Sequence, residues 1–240
     1  MTALDPQLVL GAYAVGVFPM ADSRDADSVY WVEPRTRAVM PLDGFHLSRS
    51  LRKVIVSDRF RVTADRAFRE VLTLCAESAD DRPETWINTG IEQVFVRLHE
   101  MGFAHSIECW DGDRLAGGLY GLALGRAFFG ESMVSRASNA SKVALAGLVA
   151  RLRAGGFTLL DCQFQTSHLA SLGAVEISRE NYVVLLSEAL SGVVGTSAAS
   201  GSRDAPGDFF ALDRGVGPDS VVVSGPVSGQ VIAQLLTQTS

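Results

Sequence analysis

Cysteine is scarce in this chain. Cys75, Cys109 and Cys162 are its only three, scattered and without metal-ligand spacing. No disulfide framework is expected, each thiol reads first as a small buried apolar side chain, and a cytoplasmic location is the default. The four histidines form no cluster with carboxylates, so no metal site is expected. No apolar run is long enough to cross a membrane, and residues 1–10 lack the charged start and cleavage pattern of a signal peptide. A basic excess is missing too. The net charge of −6 argues against a surface coated in positive charge, although not against a local basic patch. What is present is 47% hydrophobic residues over 240 positions, enough for the core of one large or two small domains.

Periodicity gives the order of elements. Residues 6–15 read as a short helix, broken at Gly16 and Pro19. Short strands follow at 30–32 and 38–40 around Pro34, then a helix over 48–56 with Ser48 as a candidate cap. A brief strand at 61–63 and a helix over 65–75 complete the first part. The polar segment 77–84 is the expected boundary, giving an N-terminal domain 1–80, a catalytic domain 81–190 and a tail 191–240. In the second part, Ile91, Val94, Phe95, Leu98 and Met101 recur at helical spacing until Gly102. Strands 104–110 and 114–124 flank the turn Asp111-Gly112-Asp113, and Gly125 turns the chain into a strand over 127–134. Ser138 or Asn139 then caps a helix to Ala154 that is apolar on most sides and so should be buried. Residues 157–163 read as a buried strand, with helices over 168–172 and 179–190. The tail is rich in Gly and Ser and reads as loose, except for a docking segment at 209–212 and a terminal helix over 230–236. The fold class is α+β, a small N-terminal domain plus a C-terminal mixed sheet flanked by helices. That order resembles acyltransferases of the GNAT type, an analogy that says little about chemistry.

Two acids stand out. Glu131 follows the apolar run Ala127-Phe128-Phe129 and Gly130, and Asp161 follows Phe157-Thr158-Leu159-Leu160. A carboxylate at the end of a buried strand is costly to desolvate unless it is paired or used. Either could receive an amine's proton or hold the amine in an acyl transfer. Gln163, two residues beyond Asp161, would share its strand face. Buried ion pairs to Arg136 or Lys142 explain the two acids equally well on spacing alone. His105 and His168 are alternative bases, each more often a structural histidine. Ser132 and Ser135 belong to no recognisable triad. Gly117-Gly118-Leu119-Tyr120-Gly121 lies in a strand and opens no helix, so it is not a nucleotide-cradling loop. In residues 46–61, Arg49, Arg52, Lys53, Arg59 and Arg61 face one acid, Asp58. Arg49, Arg52 and Lys53 would share a helix face suited to nucleic-acid phosphates, although a solvated face is an equal reading. Trp31 and Trp86 lie beside loop residues, where an exposed indole could stack a base and a buried one would be core.

Read in order, these residues resemble the leucyl/phenylalanyl-tRNA–protein transferases. The resemblance runs from Gly16-Val17-Phe18-Pro19-Met20 and Trp31 through Phe45-His46-Leu47-Ser48-Arg49-Ser50, Thr85-Trp86-Ile87 and His99-Glu100-Met101-Gly102-Phe103. It continues with Phe129-Gly130-Glu131-Ser132-Met133, Asn139-Ala140-Ser141-Lys142, Asp161-Cys162-Gln163, His168 and Ser171-Leu172-Gly173-Ala174. It implies transfer of Leu or Phe, less well Met, from aminoacyl-tRNA to an N-terminal Arg or Lys of a protein. That marks the protein for N-degron degradation, in the cytoplasm and without metal or other cofactor. It further implies a GNAT-like C-terminal domain, with Asp161 as base or amine-orienting acid, Gln163 beside it and Glu131 binding the cationic substrate. Leu119, Phe128, Met133, Leu145 and Leu148 would form the aminoacyl side-chain pocket. Trp86 and Trp31 would contact the terminal adenosine, and Arg49, Arg52 and Lys53 would hold tRNA phosphates. The chain departs from the family pattern at Val32 and over Glu33-Pro34-Arg35-Thr36-Arg37, both on the adenosine side. Two other readings compete: a GNAT-type acetyltransferase using acetyl-CoA, whose pyrophosphate loop is missing between Val134 and Leu145, and a non-catalytic tRNA-binding module.

Overall fold

The computed structural model describes residues 4–77, 85–191, 205–214 and 226–238. In chain order the elements are α1 (Pro6–Ala14), β1 (Phe18–Met20), β2 (Tyr30–Val32), β3 (Thr36–Val39), α2 (Arg49–Val56), β4 (Arg61–Ala64), α3 (Phe68–Ala76) and α4 (Thr89–Glu100). They continue with β5 (Ala104–Asp111), β6 (Arg114–Leu124), β7 (Ala127–Ser135), α5 (Ala140–Ala154), β8 (Leu159–Gln163), α6 (Ser167–Ser171), β9 (Val175–Ser178), α7 (Arg179–Leu190) and α8 (Gly229–Thr237). Tight turns at Gly112 and Gly125, both with positive φ, make β5, β6 and β7 antiparallel neighbours. The long crossover through α5 brings β8 back parallel to β7. β3 and β9 extend that side and β4 closes the other, giving a seven-stranded sheet in the order β4-β5-β6-β7-β8-β3-β9. Residues before the expected boundary therefore supply strands on both sides of the seven-stranded sheet. The boundary segment itself, 78–84, lies outside the described residues.

Helices cover both faces. Period-2 alternation sends Phe128 to one side and Phe129 to the other. Leu119 and Phe128 pack under α2, α5 and α8 with Leu51, Ile55, Leu145, Leu148, Ile232 and Leu236. Tyr120, Leu122 and Phe129 pack under α1, α3, α4 and α7 with Tyr13, Leu72, Phe95 and Tyr182. The cap of α2 forms as the sequence suggests, with the Leu51 N–H donating to the Ser48 hydroxyl at 3.2 Å, whereas Asn139 holds the N-cap position of α5 without a side-chain hydrogen bond.

Two strands escape the sequence reading. β1 contains Pro19, which reads as a breaker, but it pairs only with β2 in a separate two-stranded ribbon where a missing donor is tolerated. β9 is a four-residue edge strand joined to β3, too short to show alternation. The apolar tail segments do dock. Phe209 stacks on His105 at 4.1 Å between centroids, and Arg151 reaches the Phe209 carbonyl at 2.9 Å and Asp213 Oδ1 at 2.8 Å. α8 packs on α2 and α5. Residues 192–204 and 215–225, most of the expected loose tail, lie outside the described residues. Among the described residues, no helix is long and apolar enough to cross a membrane.

Candidate active site

The sheet opens between its two parallel strands. β7 and β8 pair only from Ala127↔Leu159 to Phe129↔Asp161, although β7 runs on to Ser135 and β8 to Gln163. At the fork each strand carries one extra residue. Tyr120 faces Ser132 and Gly121 faces Gly130, leaving Glu131 as the bulge of β7. Val39 faces Asp161 and Ala38 faces Gln163, leaving Cys162 as the bulge of β8. A bulge bends its strand and re-aims a side chain, which is how two neighbouring strands can point different groups into one opening. Gly121 permits the β7 bulge, since a Cβ there would lie 2.2 Å from the Phe129 carbonyl oxygen. Gln163 takes a left-handed φ of 61°, a conformation that costs a non-glycine residue about 1–3 kcal/mol and clusters at functional sites.

Asp161 is fully buried and both its oxygens are occupied. Arg37 donates from Nε to Oδ1 and Oδ2 at 3.0 Å each and from an NH2 to Oδ2 at 2.7 Å. The Tyr182 hydroxyl donates to Oδ2 at 2.8 Å, and the Gln163 backbone N–H donates to Oδ1 at 2.7 Å. Arg37 is itself buried between the Phe18 and Tyr182 rings, 4.7 and 4.6 Å from their centroids. Burial alone would lower the guanidinium pKa, but the charge and hydrogen bonds of Asp161 outweigh it and raise the pKa instead. The pairing therefore differs from either cation named from the sequence: Arg136 bonds Glu77 on the surface, and Asp161 is held by Arg37.

Glu131 is the chemically available acid. Its Oε1 accepts from Gln163 Nε2 at 2.7 Å, whereas Oε2 is buried without a partner. The Tyr13 hydroxyl lies beside it without completing a hydrogen bond. Burial pushes the Glu131 carboxyl up to about 8, and the Asp161 charge adds to this. The Tyr13 hydroxyl, the Arg37 charge and the Gln163 amide hold it back. Such a group can give or take a proton near neutral pH.

The fork leads into a pocket of about 420 Å³. Its apolar walls are Leu119, Met133, Leu145, Leu148, Leu160 and Leu169, and its polar end carries Glu131, Gln163 and His168. Four of the five residues expected to hold an aminoacyl side chain line it. The fifth, Phe128, is fully buried behind the wall, stacked 5.8 Å from Phe209. Asp161 also sits behind the wall rather than on it, whereas Glu131 lines it. Trp86 lines the pocket, whereas Trp31 does not and stands half-exposed on the β1–β2 ribbon. His105 is structural, bonded to Asp65 at 2.7 Å, while His168 lines the pocket with Nε2 buried and unpartnered. Burial, helped by the charge of Lys142, lowers the His168 pKa below that of a free imidazole. On α2, Leu51 and Ile55 face the core, and Arg49, Arg52 and Lys53 are exposed with no ion pair among the described residues.

The residues missed from the sequence are Arg37, Tyr182 and Tyr13. Arg37 carried a signal, a charge followed by Ala38-Val39-Met40 in a strand, but its partner is 124 positions away. The two tyrosines come from α1 and α7, and nothing local links them to the acids.

Comparison with known proteins places the chain. The leucyl/phenylalanyl-tRNA protein transferase family profile matches residues 39–187, and the profile of that family's N-terminal domain matches residues 2–35. A leucyl/phenylalanyl-tRNA–protein transferase of Rhizorhabdus wittichii is 64% identical over the whole of both chains. One from Zymomonas mobilis is 64% identical over 78% of this chain and 70% of its own. A third, from Phenylobacterium zucineum, is 49% identical over all of both chains.

Proposed function

The chain belongs to the leucyl/phenylalanyl-tRNA–protein transferase family, and on that premise we propose that it moves Leu or Phe from aminoacyl-tRNA to the N-terminal Arg or Lys of a protein. The observation that carries this reading is the apolar pocket of about 420 Å³ with an unpartnered carboxyl oxygen at its polar end. Leu119, Met133, Leu145 and Leu148 take the aminoacyl side chain, Trp86 stacks on the terminal base, and Arg49, Arg52 and Lys53 bind phosphates. The acceptor amine enters beside Glu131 and Gln163. Glu131, at about 8, is matched to an α-ammonium group, ordinarily about 7.7–8.0, and takes its proton. The free amine attacks the ester carbonyl. A C–N bond forms, the C–O bond to the tRNA ribose breaks, and the ribose oxygen leaves with a proton. Asp161 does not touch the amine. It is a positioning residue that fixes the Gln163 backbone, and Gln163 in turn orients Glu131.

The product carries an N-terminal Leu or Phe, the mark of an N-degron substrate, and the reaction runs in the cytoplasm. The segment before residue 81 serves the acceptor end through α2, and residues 81–190 do the chemistry, with Arg37 of β3 lent to the catalytic part. The test is transfer of labelled Leu from charged tRNA to peptides starting with Arg, Lys or Met. Label on the Arg and Lys peptides alone is expected. Equal labelling of the Met peptide, or tRNA binding without any labelling, overturns the proposal.

A further inference from the structure

The reaction written above leaves one polar atom of the pocket unused. His168 lies in α6, just beyond Gln163 in the chain, and lines the pocket. Its Nε2 is buried and bonds to nothing among the described residues. The backbone that carries it is pinned. The Leu169 N–H donates to the Thr166 hydroxyl at 3.1 Å, and the Ser171 hydroxyl donates to the His168 carbonyl at 2.7 Å. Gln165 Nε2 donates to the Ala174 carbonyl at 2.8 Å. None of these bonds engages the imidazole. A buried nitrogen held in place without a partner costs free energy, and a ligand that pairs with it recovers that cost.

Its neighbours indicate the chemistry of the missing partner. Leu169, next in the chain, and Leu145 and Leu148 of α5 are walls of the same pocket, and Lys142 stands one turn before Leu145. His168 is thus among the groups that take the donor's side chain, while the acceptor amine is assigned to Glu131 and Gln163. The donor's α-amino group is borne on the same carbon as that side chain. It loses water when the side chain enters, and it needs a hydrogen-bond acceptor there. Burial and the charge of Lys142 both favour the uncharged imidazole, which keeps a lone pair to accept with. The same charge disfavours a second cation beside it, so the donor amine is bound uncharged.

We propose that His168 Nε2 accepts a hydrogen bond from the α-amino group of the aminoacyl donor, so that the donor is selected by its free amine as well as by its apolar side chain. The inference deepens the transferase reading above and rests on it. The test compares three donors on one tRNA: Leu, its deaminated analogue and its α-hydroxy analogue. KM and kcat for transfer to an Arg-starting peptide are measured in the parent, His168→Leu and His168→Gln. His168 is only half-buried, so both variants should fold. In the parent, the deaminated donor is expected to raise KM about tenfold, because it leaves Nε2 unpaired, and the hydroxyl of the third donor should restore it. In His168→Leu the preference for Leu over the deaminated donor should fall to about one. His168→Gln should keep most of it, since its amide oxygen can accept. An equal preference in the parent and His168→Leu overturns the proposal, as does no preference in the parent. So does a fall in kcat shared by all three donors, which marks a structural role. If the parent transfers none of the three, the transferase reading fails and this inference with it.

Discussion

The buried pair Arg37–Asp161 gives the sharpest test of how the site is built. Arg37→Met keeps length and apolar contact with Phe18 and Tyr182 but removes the charge, leaving Asp161 fully buried with only the Tyr182 hydroxyl and the Gln163 N–H. Removing one partner of a buried pair costs about 3–5 kcal/mol, because the remaining charge is uncompensated. Against a total stability of about 5–15 kcal/mol that is a large share, and for a chain of this size it lowers Tm by roughly 6–20 °C. Asp161→Ala strands Arg37 in the same way and is expected to destabilise the fold by a similar amount. The informative protein is Arg37→Met/Asp161→Asn. It carries neither charge, and the asparagine carbonyl oxygen can still accept from the Gln163 N–H. Stability by urea unfolding should return to within about 1.5 kcal/mol of the parent, a coupling of at least about 2 kcal/mol. If Asp161 only positions Gln163, the double variant also keeps transfer within about tenfold. A folded double variant with transfer reduced a thousandfold or more would show that Asp161 handles the proton. A loss under about 1 kcal/mol in Arg37→Met would show that the pair does not hold the fork.

The pH behaviour follows from Glu131. Its pKa in the folded chain is raised from 4.5 to about 8, so the native state binds the extra proton between those values. The stability from this group is present below about pH 4.5 and is lost as pH rises through about 8. Glu131→Gln should remove that decline in Tm, and the affinity for an Arg-starting peptide should rise tenfold per pH unit up to about 8 in the parent only. An unchanged affinity profile in Glu131→Gln would take Glu131 out of amine binding. At the tail, a Cβ on Gly229 would lie 1.8 Å from the Ile55 carbonyl oxygen, so Gly229→Ala must push α8 off α2. We expect a loss of about 1–3 kcal/mol in urea unfolding, and no loss would mean that α8 does not brace the basic helix.

Most of the fold was legible because the signals were local. The turn at Gly112, the cap at Ser48 and the apolar wrap of α5 each need only a few neighbouring residues to be read. The strand order was less so. β3 inserts between β8 and β9, a pairing between segments more than a hundred residues apart, and no periodicity records which strand lies beside which. The site divides the same way. Glu131, Gln163 and four of the pocket residues were legible as residue types at strand and helix positions. What they do was not, because it is set by two bulges that only the paired sheet reveals.

Those bulges place the two acids in different surroundings. Without the extra residue Glu131, β7 would continue in register with β6, and alternation would send the side chains beyond it to the opposite faces. With it, the carboxyl enters the fork, desolvated and tied at one oxygen. Asp161 sits at the last paired position of β7 and β8, fully buried, and a cation from β3, Arg37, balances it. An acid so thoroughly bonded is suited to rigidity, because any proton it took would disrupt its bonds to Arg37 or to the Gln163 backbone. An acid with one free oxygen and a pKa near 8 can exchange a proton at no such cost. In the mechanism we propose, the chemistry therefore belongs to the acid on the bulge, and the ion pair behind it keeps the bulge in place.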